Sequence, residues 1–127
     1  MMGHTLERSA GALAIFLWLC AAAQPALSGE DAEIVNPFGG REDAVEAGRT
    51  LFNVHCSHCH GPNAVQGEKP RDLRRLALRY GKNMPAIFFK TATGGREDKG
   101  MPSWAGALDA ETLWTIFTFI QTVQNKK

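Results

Sequence analysis

Apolar residues recur at helical spacing in several stretches of the chain, and no run reads as a strand. The first stretch begins at Asp43-Ala44-Val45-Glu46. An aspartate followed three residues later by glutamate marks a helix start, with Asp43 as its cap. That helix should run to about Phe52, with Gly48 and Phe52 four apart on one face. Asn63 to Pro70 is punctuated by glycine and proline and reads as a loop. Asp72 to Tyr80 places Leu73, Leu76, Ala77 and Tyr80 on one helical face, and Gly81 stops it. Pro85 opens a further helix to about Thr93, ended by Gly94-Gly95. Arg96 to Gly106 is an irregular loop. Asp109 then caps a last helix running to about Val123, with Leu108 and Leu113 placed as a hydrophobic staple. The pattern predicts a small all-α protein without internal repeats.

The N-terminus changes the picture of what is folded. Met1 to Ala10 is short and carries Arg8, and an apolar run of thirteen residues follows, Gly11 to Ala23. Gln24 and Pro25 break it, and Ala26-Leu27-Ser28 offers the small residues of a cleavage site. The run is shorter than the ~20 residues that span a bilayer. Residues 1–29 therefore read as an export signal, the alternative being a retained anchor. Cys20 leaves with the signal, and Leu19 before it is too bulky for a lipoprotein site. Residues 30–40 read as a flexible leader and 41–127 as one domain. About 98 mature residues bury only a modest core.

Composition rules out little. The mature part has 13 Lys and Arg against 12 Asp and Glu, which is no signature for binding nucleic acid. The distribution is uneven, because Lys69, Arg71, Arg74, Arg75, Arg79 and Lys82 fall within fourteen residues. That cluster is a solvated helix face, a docking patch for an acidic partner, or a source of arginines for a bound carboxylate.

The chemistry lies in Cys56-Ser57-His58-Cys59-His60. This is C-x-x-C-H, the attachment site of a c-type haem. Residues three apart share a helix face, so Cys56 and Cys59 can form thioethers with both vinyl groups of one porphyrin. His60 follows directly and can bind the iron as proximal ligand. A closed zinc site would need a second pair of ligands. Outside residues 55–60 the one histidine is His4. His55 and His58 read as bystanders, with a small copper or zinc site as the alternative. A covalent haem (haem c, one iron) would supply the apolar centre that so small a chain lacks, and the chain without it should fold poorly.

The second axial ligand must then be sought among methionines, since no suitable histidine remains. Met1 and Met2 belong to the signal. Met101, in Gly100-Met101-Pro102-Ser103-Trp104, sits in a glycine-bearing loop stiffened by Pro102 and is the first choice. Met84 is the alternative, its other role being to fill the core; an open position is the third. Trp104 packs on the haem, bonds a propionate, or fills the loop's own core. Arg71 and Arg74 are candidates for the propionates.

These residues together resemble a class I cytochrome c, over about residues 36–123. The resemblance implies that the first and last helices cross through Gly48 and Phe52 on one side and Ile116, Phe119 and Ile120 on the other. It also implies a proline carbonyl that accepts a hydrogen bond from the proximal histidine. Pro70 is the candidate, ahead of Pro62. Lys69-Pro70-Arg71-Asp72-Leu73, Arg79-Tyr80-Gly81 and the segment from Asp98 to Trp104 are similar to small periplasmic cytochromes that accept electrons from PQQ-dependent alcohol dehydrogenases. The resemblance implies a monomeric electron carrier rather than an enzyme. A quinoprotein alcohol dehydrogenase would reduce it, and a terminal oxidase or another cytochrome would oxidise it. The rival readings are a membrane-tethered cytochrome subunit of an oxidoreductase complex and a haem peroxidase or gas-binding protein.

Overall fold

Helix α1 spans Glu42–His55, longer at both ends than its pattern suggested, in a computed structural model that describes residues 33–125. The expected export signal lies outside the described residues. Four helices follow: α2 (Ser57–His60), α3 (Leu76–Tyr80), α4 (Met84–Gly94) and α5 (Ala110–Thr122). Short 3₁₀ turns connect them, and an isolated antiparallel bridge pairs Arg96 with Met101. No strand occurs among the described residues, and the fold is all-α.

Two helix starts differ in an informative way. At α5 the expected cap is present: the Asp109 carboxylate accepts from the Thr112 N–H at 2.8 Å. At α1 the cap position is Arg41, which contributes no side-chain bond, and Asp43 lies inside the first turn. There its carboxylate faces the positive end of the helix and pairs with the Arg41 guanidinium. The hydrogen bond from Arg41 is the main reason that the Asp43 carboxyl is held below its ordinary value.

The predicted helix over 72–80 is broken. Asp72 caps a 3₁₀ turn, Leu73–Arg75, and α3 begins only at Leu76. Asp72 is buried, and its carboxylate accepts from the Arg74 N–H and the Arg74 guanidinium, each at 3.0 Å. Burial alone would raise the Asp72 pKa, but these bonds to Arg74 together outweigh it and hold the carboxyl low. A carboxyl depressed in the folded state adds stability above the unfolded carboxylate value near 4, and that stability disappears as pH falls through the folded value. Asp72→Asn should therefore cost about 1 kcal/mol at neutral pH. The gap between variant and parent should close below about pH 4, measured by denaturant titration at several pH values.

The core forms where α1 crosses α5. Phe52, Ile116, Phe117, Phe119 and Ile120 have no exposed surface, and the rings of Phe52 and Phe119 lie 5.4 Å apart, tilted. Gly48 makes the crossing close: a Cβ there would come within 2.1 Å of the Thr115 carbonyl oxygen and 3.1 Å of the Phe119 Cβ. The five crossing residues expected from the sequence meet here. The leader is tied down as well. Asn36 is buried, and its amide donates to the Thr118 hydroxyl at 2.9 Å and to the Gln121 side-chain oxygen. Chain order thus begins before the expected start of the domain at residue 41.

Candidate haem site

Beside the helix crossing lies a cavity of about 510 Å³, within the size range of ligand and cofactor pockets. Cys56, Cys59, His60 and Met101 all line it. Cys56 is the junction between α1 and α2, and the single turn of α2 delivers Cys59 and His60. The Cys56 carbonyl accepts from the N–H groups of Cys59 (3.3 Å) and His60 (3.0 Å), which fixes the spacing of the two sulfurs and the imidazole. Gly61 (φ +76) ends the turn against the Val65 carbonyl, where a Cβ would meet oxygen at 2.0 Å.

His60 is oriented by the backbone. Its Nδ1 lies 2.8 Å from the carbonyl oxygen of Arg71. A carbonyl can only accept, so Nδ1 carries the proton and Nε2 keeps the lone pair a metal needs. The acceptor expected at Pro70 is therefore Arg71, one residue further on. Pro70 lines the cavity without supplying this bond.

Met101 lies on the loop after α4, in the bridge to Arg96: the Arg96 N–H donates to the Met101 carbonyl at 2.8 Å, and the Met101 N–H returns to Arg96 at 3.0 Å. Met84, the alternative ligand, is packed in the apolar core and is not among the residues lining the cavity. Trp104 does line it, with the His55 ring edge-on at 5.8 Å. Leu73, Leu76, Phe88, Leu113, Ile116 and Ile120 form apolar wall.

The cationic lining differs from expectation. Arg71 is present, but Arg74 is not, being held by Asp72. Arg79 and Arg96 are present instead, and neither has a carboxylate partner among the described residues. The Arg79 guanidinium donates to the Lys69 carbonyl.

Burial pushes the Cys56 thiol up to about 11, with the neighbouring Cys59 adding to the effect. This applies to the free thiol only, since a thioether has no proton to lose.

The residues present fit a covalently held haem: two sulfurs, an imidazole with the correct nitrogen free, a thioether and an apolar wall share one cavity. No group of three or more His, Cys, Asp or Glu side chains suited to a bare metal ion occurs among the described residues.

Sequence reasoning missed Gln124. Its amide donates to the carbonyls of Leu73 (2.9 Å) and Ile120 (2.8 Å), and its oxygen accepts from the Ala77 N–H at 2.9 Å. The Asn125 N–H adds a bond to the Arg74 carbonyl at 2.7 Å. The chain after α5 thus anchors the segment that carries Arg71. Gln124→Ala should lower stability by about 1 kcal/mol, since the Ala77 N–H loses its partner while the Leu73 and Ile120 carbonyls keep bonds from the Leu76 and Val123 N–H groups. Guanidinium titration of the holoprotein checks this.

The profile of the family described as cytochrome c oxidase, cbb3-type, subunit III matches residues 43–120, and the chain belongs to that family of c-type cytochrome domains. Residues 43–120 are thus a cytochrome c electron-transfer domain, of the family that holds haem c covalently. Quinohemoprotein alcohol dehydrogenase ADH-IIG of Pseudomonas putida is 38% identical over 77 residues, 61% of this chain and 10% of that enzyme. Cytochrome c550 of Pseudomonas aeruginosa is 31% identical over 90 residues, 68% of this chain and 61% of that protein. A quinohemoprotein alcohol dehydrogenase of Comamonas testosteroni is 33% identical over 78 residues, 61% of this chain and 11% of the enzyme. The chain thus spans about a tenth of the dehydrogenases and three fifths of the cytochrome. No solved structure matches it.

Proposed function

We propose that this chain is exported to the periplasm and carries single electrons there, with Cys56 and Cys59 bound to the haem and His60 and Met101 as the iron's axial ligands. The observation that carries this reading is the meeting of all four side chains in one cavity. Haem c supplies an iron that changes oxidation state by one electron. The protein's part is to keep both ligands fixed. The Arg71 carbonyl holds the imidazole ring, and the 96–101 bridge holds the methionine backbone. Fixed ligands mean little rearrangement between oxidation states, and the apolar wall keeps water away. Arg79 and Arg96, with Arg71, are the groups we assign to the haem carboxylates, in place of Arg74.

The donor we propose is a quinoprotein, PQQ-dependent alcohol dehydrogenase, and the acceptor a terminal oxidase or another cytochrome. Similarity to a stretch of two quinohemoprotein alcohol dehydrogenases supports the donor. Contacts of this kind are small and transient, which suits a chain of formal net charge +1. The family description favours one other reading, a subunit of an oxidase complex. No helix among the described residues is long and apolar enough to cross a membrane. N-terminal sequencing of the mature protein separates the two readings, since a retained Met1-to-Ala23 segment would indicate a tether.

The decisive experiment mixes ferric holoprotein with a purified quinoprotein alcohol dehydrogenase and its alcohol. The expected result is rapid reduction and, in the ferric protein beforehand, a near-infrared sulfur-to-iron charge-transfer band. Absence of that band would remove Met101 from the iron; absence of reduction would remove the donor.

A further inference from the structure

We propose that Gly95 is a positioning residue for Met101: the side chain it lacks is what allows the methionine loop to lie against the end of α4. The proposal rests on Met101 being an axial ligand. Gly95 has φ +71° and ψ −179°, a region in which an L side chain is strongly disfavoured. A Cβ at this position would lie 2.6 Å from the Ser103 nitrogen, 2.8 Å from the Pro102 carbonyl carbon and 3.0 Å from the Met101 carbonyl oxygen. All three are backbone atoms, so no rotamer change relieves the collision.

Around this point the loop is stitched to α4 and its exit. Arg96 and Met101 exchange both backbone hydrogen bonds, and the Trp104 N–H donates to the Ala92 carbonyl at 3.0 Å. The Ser103 hydroxyl donates to the Thr93 carbonyl. Residues 101–104 are thereby fixed to residues 92–96 on both sides of Gly95. A methionine side chain has three rotatable bonds and little intrinsic preference, so a defined sulfur position must come from the backbone that carries it. The other glycines nearby do something different. Gly100 (φ +78°) turns the loop but faces open space, and a Cβ on Gly94 would also meet nothing.

The test compares Gly95→Ala, Ser103→Ala, Gly94→Ala and Met101→Ala as haem-loaded proteins. The readouts are covalent haem content, the near-infrared band of the ferric form, the reduction potential and affinity for imidazole. Gly95→Ala should keep its covalent haem but lose much of the band, bind imidazole about tenfold more tightly, and have a lower potential. Ser103→Ala should bind imidazole a few-fold more tightly, and Gly94→Ala should match the parent. If Gly95→Ala fails to load haem, the contrast between Ser103→Ala and Gly94→Ala decides. Native band and affinity in both Gly95→Ala and Ser103→Ala, while Met101→Ala loses them, would overturn the clasp and leave the ligand standing. An unaltered Met101→Ala would remove the ligand, and the clasp with it.

Discussion

Gly48→Ala is expected to lower the stability of the holoprotein by about 3 kcal/mol, the upper range for forcing extra volume into a packed core. The added methyl would come within 2.1 Å of the Thr115 carbonyl oxygen. Both atoms belong to helix backbone or are fixed to it, so the helices must separate. The damage then spreads, because Phe52, Ile116, Phe119 and Ile120 all pack at that crossing with no exposed surface. In a domain whose whole stability is ~5–15 kcal/mol, a loss of this size is a large share. Gly94→Ala is the internal control. It also replaces a helical glycine, but in open space, and should be neutral or stabilise slightly. Guanidinium midpoints of the two variants should move far apart; equal midpoints would refute the close crossing.

Met101→Ala should alter function as strongly as Gly48→Ala alters stability. Met84 is packed in the core away from the cavity, and His55, though it borders the cavity, sits one residue from Cys56. No other methionine is present among the described residues. Removing the thioether should leave the iron open on one side. If the sulfur occupies that position in about 99 of 100 molecules, only about 1% of the parent is competent for an external ligand, and affinity for cyanide should rise on the order of 100-fold. The reduction potential should fall, since a thioether ligand favours the reduced iron. Folding should change little by comparison. Unaltered cyanide affinity would show that Met101 is not a ligand.

Both predictions concern residues that the sequence itself singled out. Gly48, four residues before Phe52, is marked out by the resemblance to class I cytochromes c, which implies a helix crossing there, and Met101 by its glycine-bearing loop. The attachment motif is more specific still, because two sulfurs and an imidazole must be delivered by one turn. The acceptor for His60 left no such trace. Every residue has a carbonyl, and the path of residues 68–72 alone decides that Arg71 rather than Pro70 meets the ring. The break at Arg75 was hidden for a related reason: Leu73, Leu76 and Tyr80 satisfy a helical period whether the first turn is 3₁₀ or α. Arg74 looked available for a carboxylate ligand, but its near neighbour Asp72 takes it first. Gln124 and Asn36 are polar residues in polar termini, and their bonds across 51 and 82 positions carry no local signal.

The half-buried Cys56 sulfur carries a consequence for how haem is attached. Burial pushes its thiol up to about 11, so in the closed chain without haem this sulfur stays protonated at neutral pH. A protonated thiol is the less reactive form, since the thiolate is the nucleophile. Joining the haem is therefore expected to run faster on a loose thread than on closed helices, which a comparison of attachment rates in the unfolded and the collapsed chain would check.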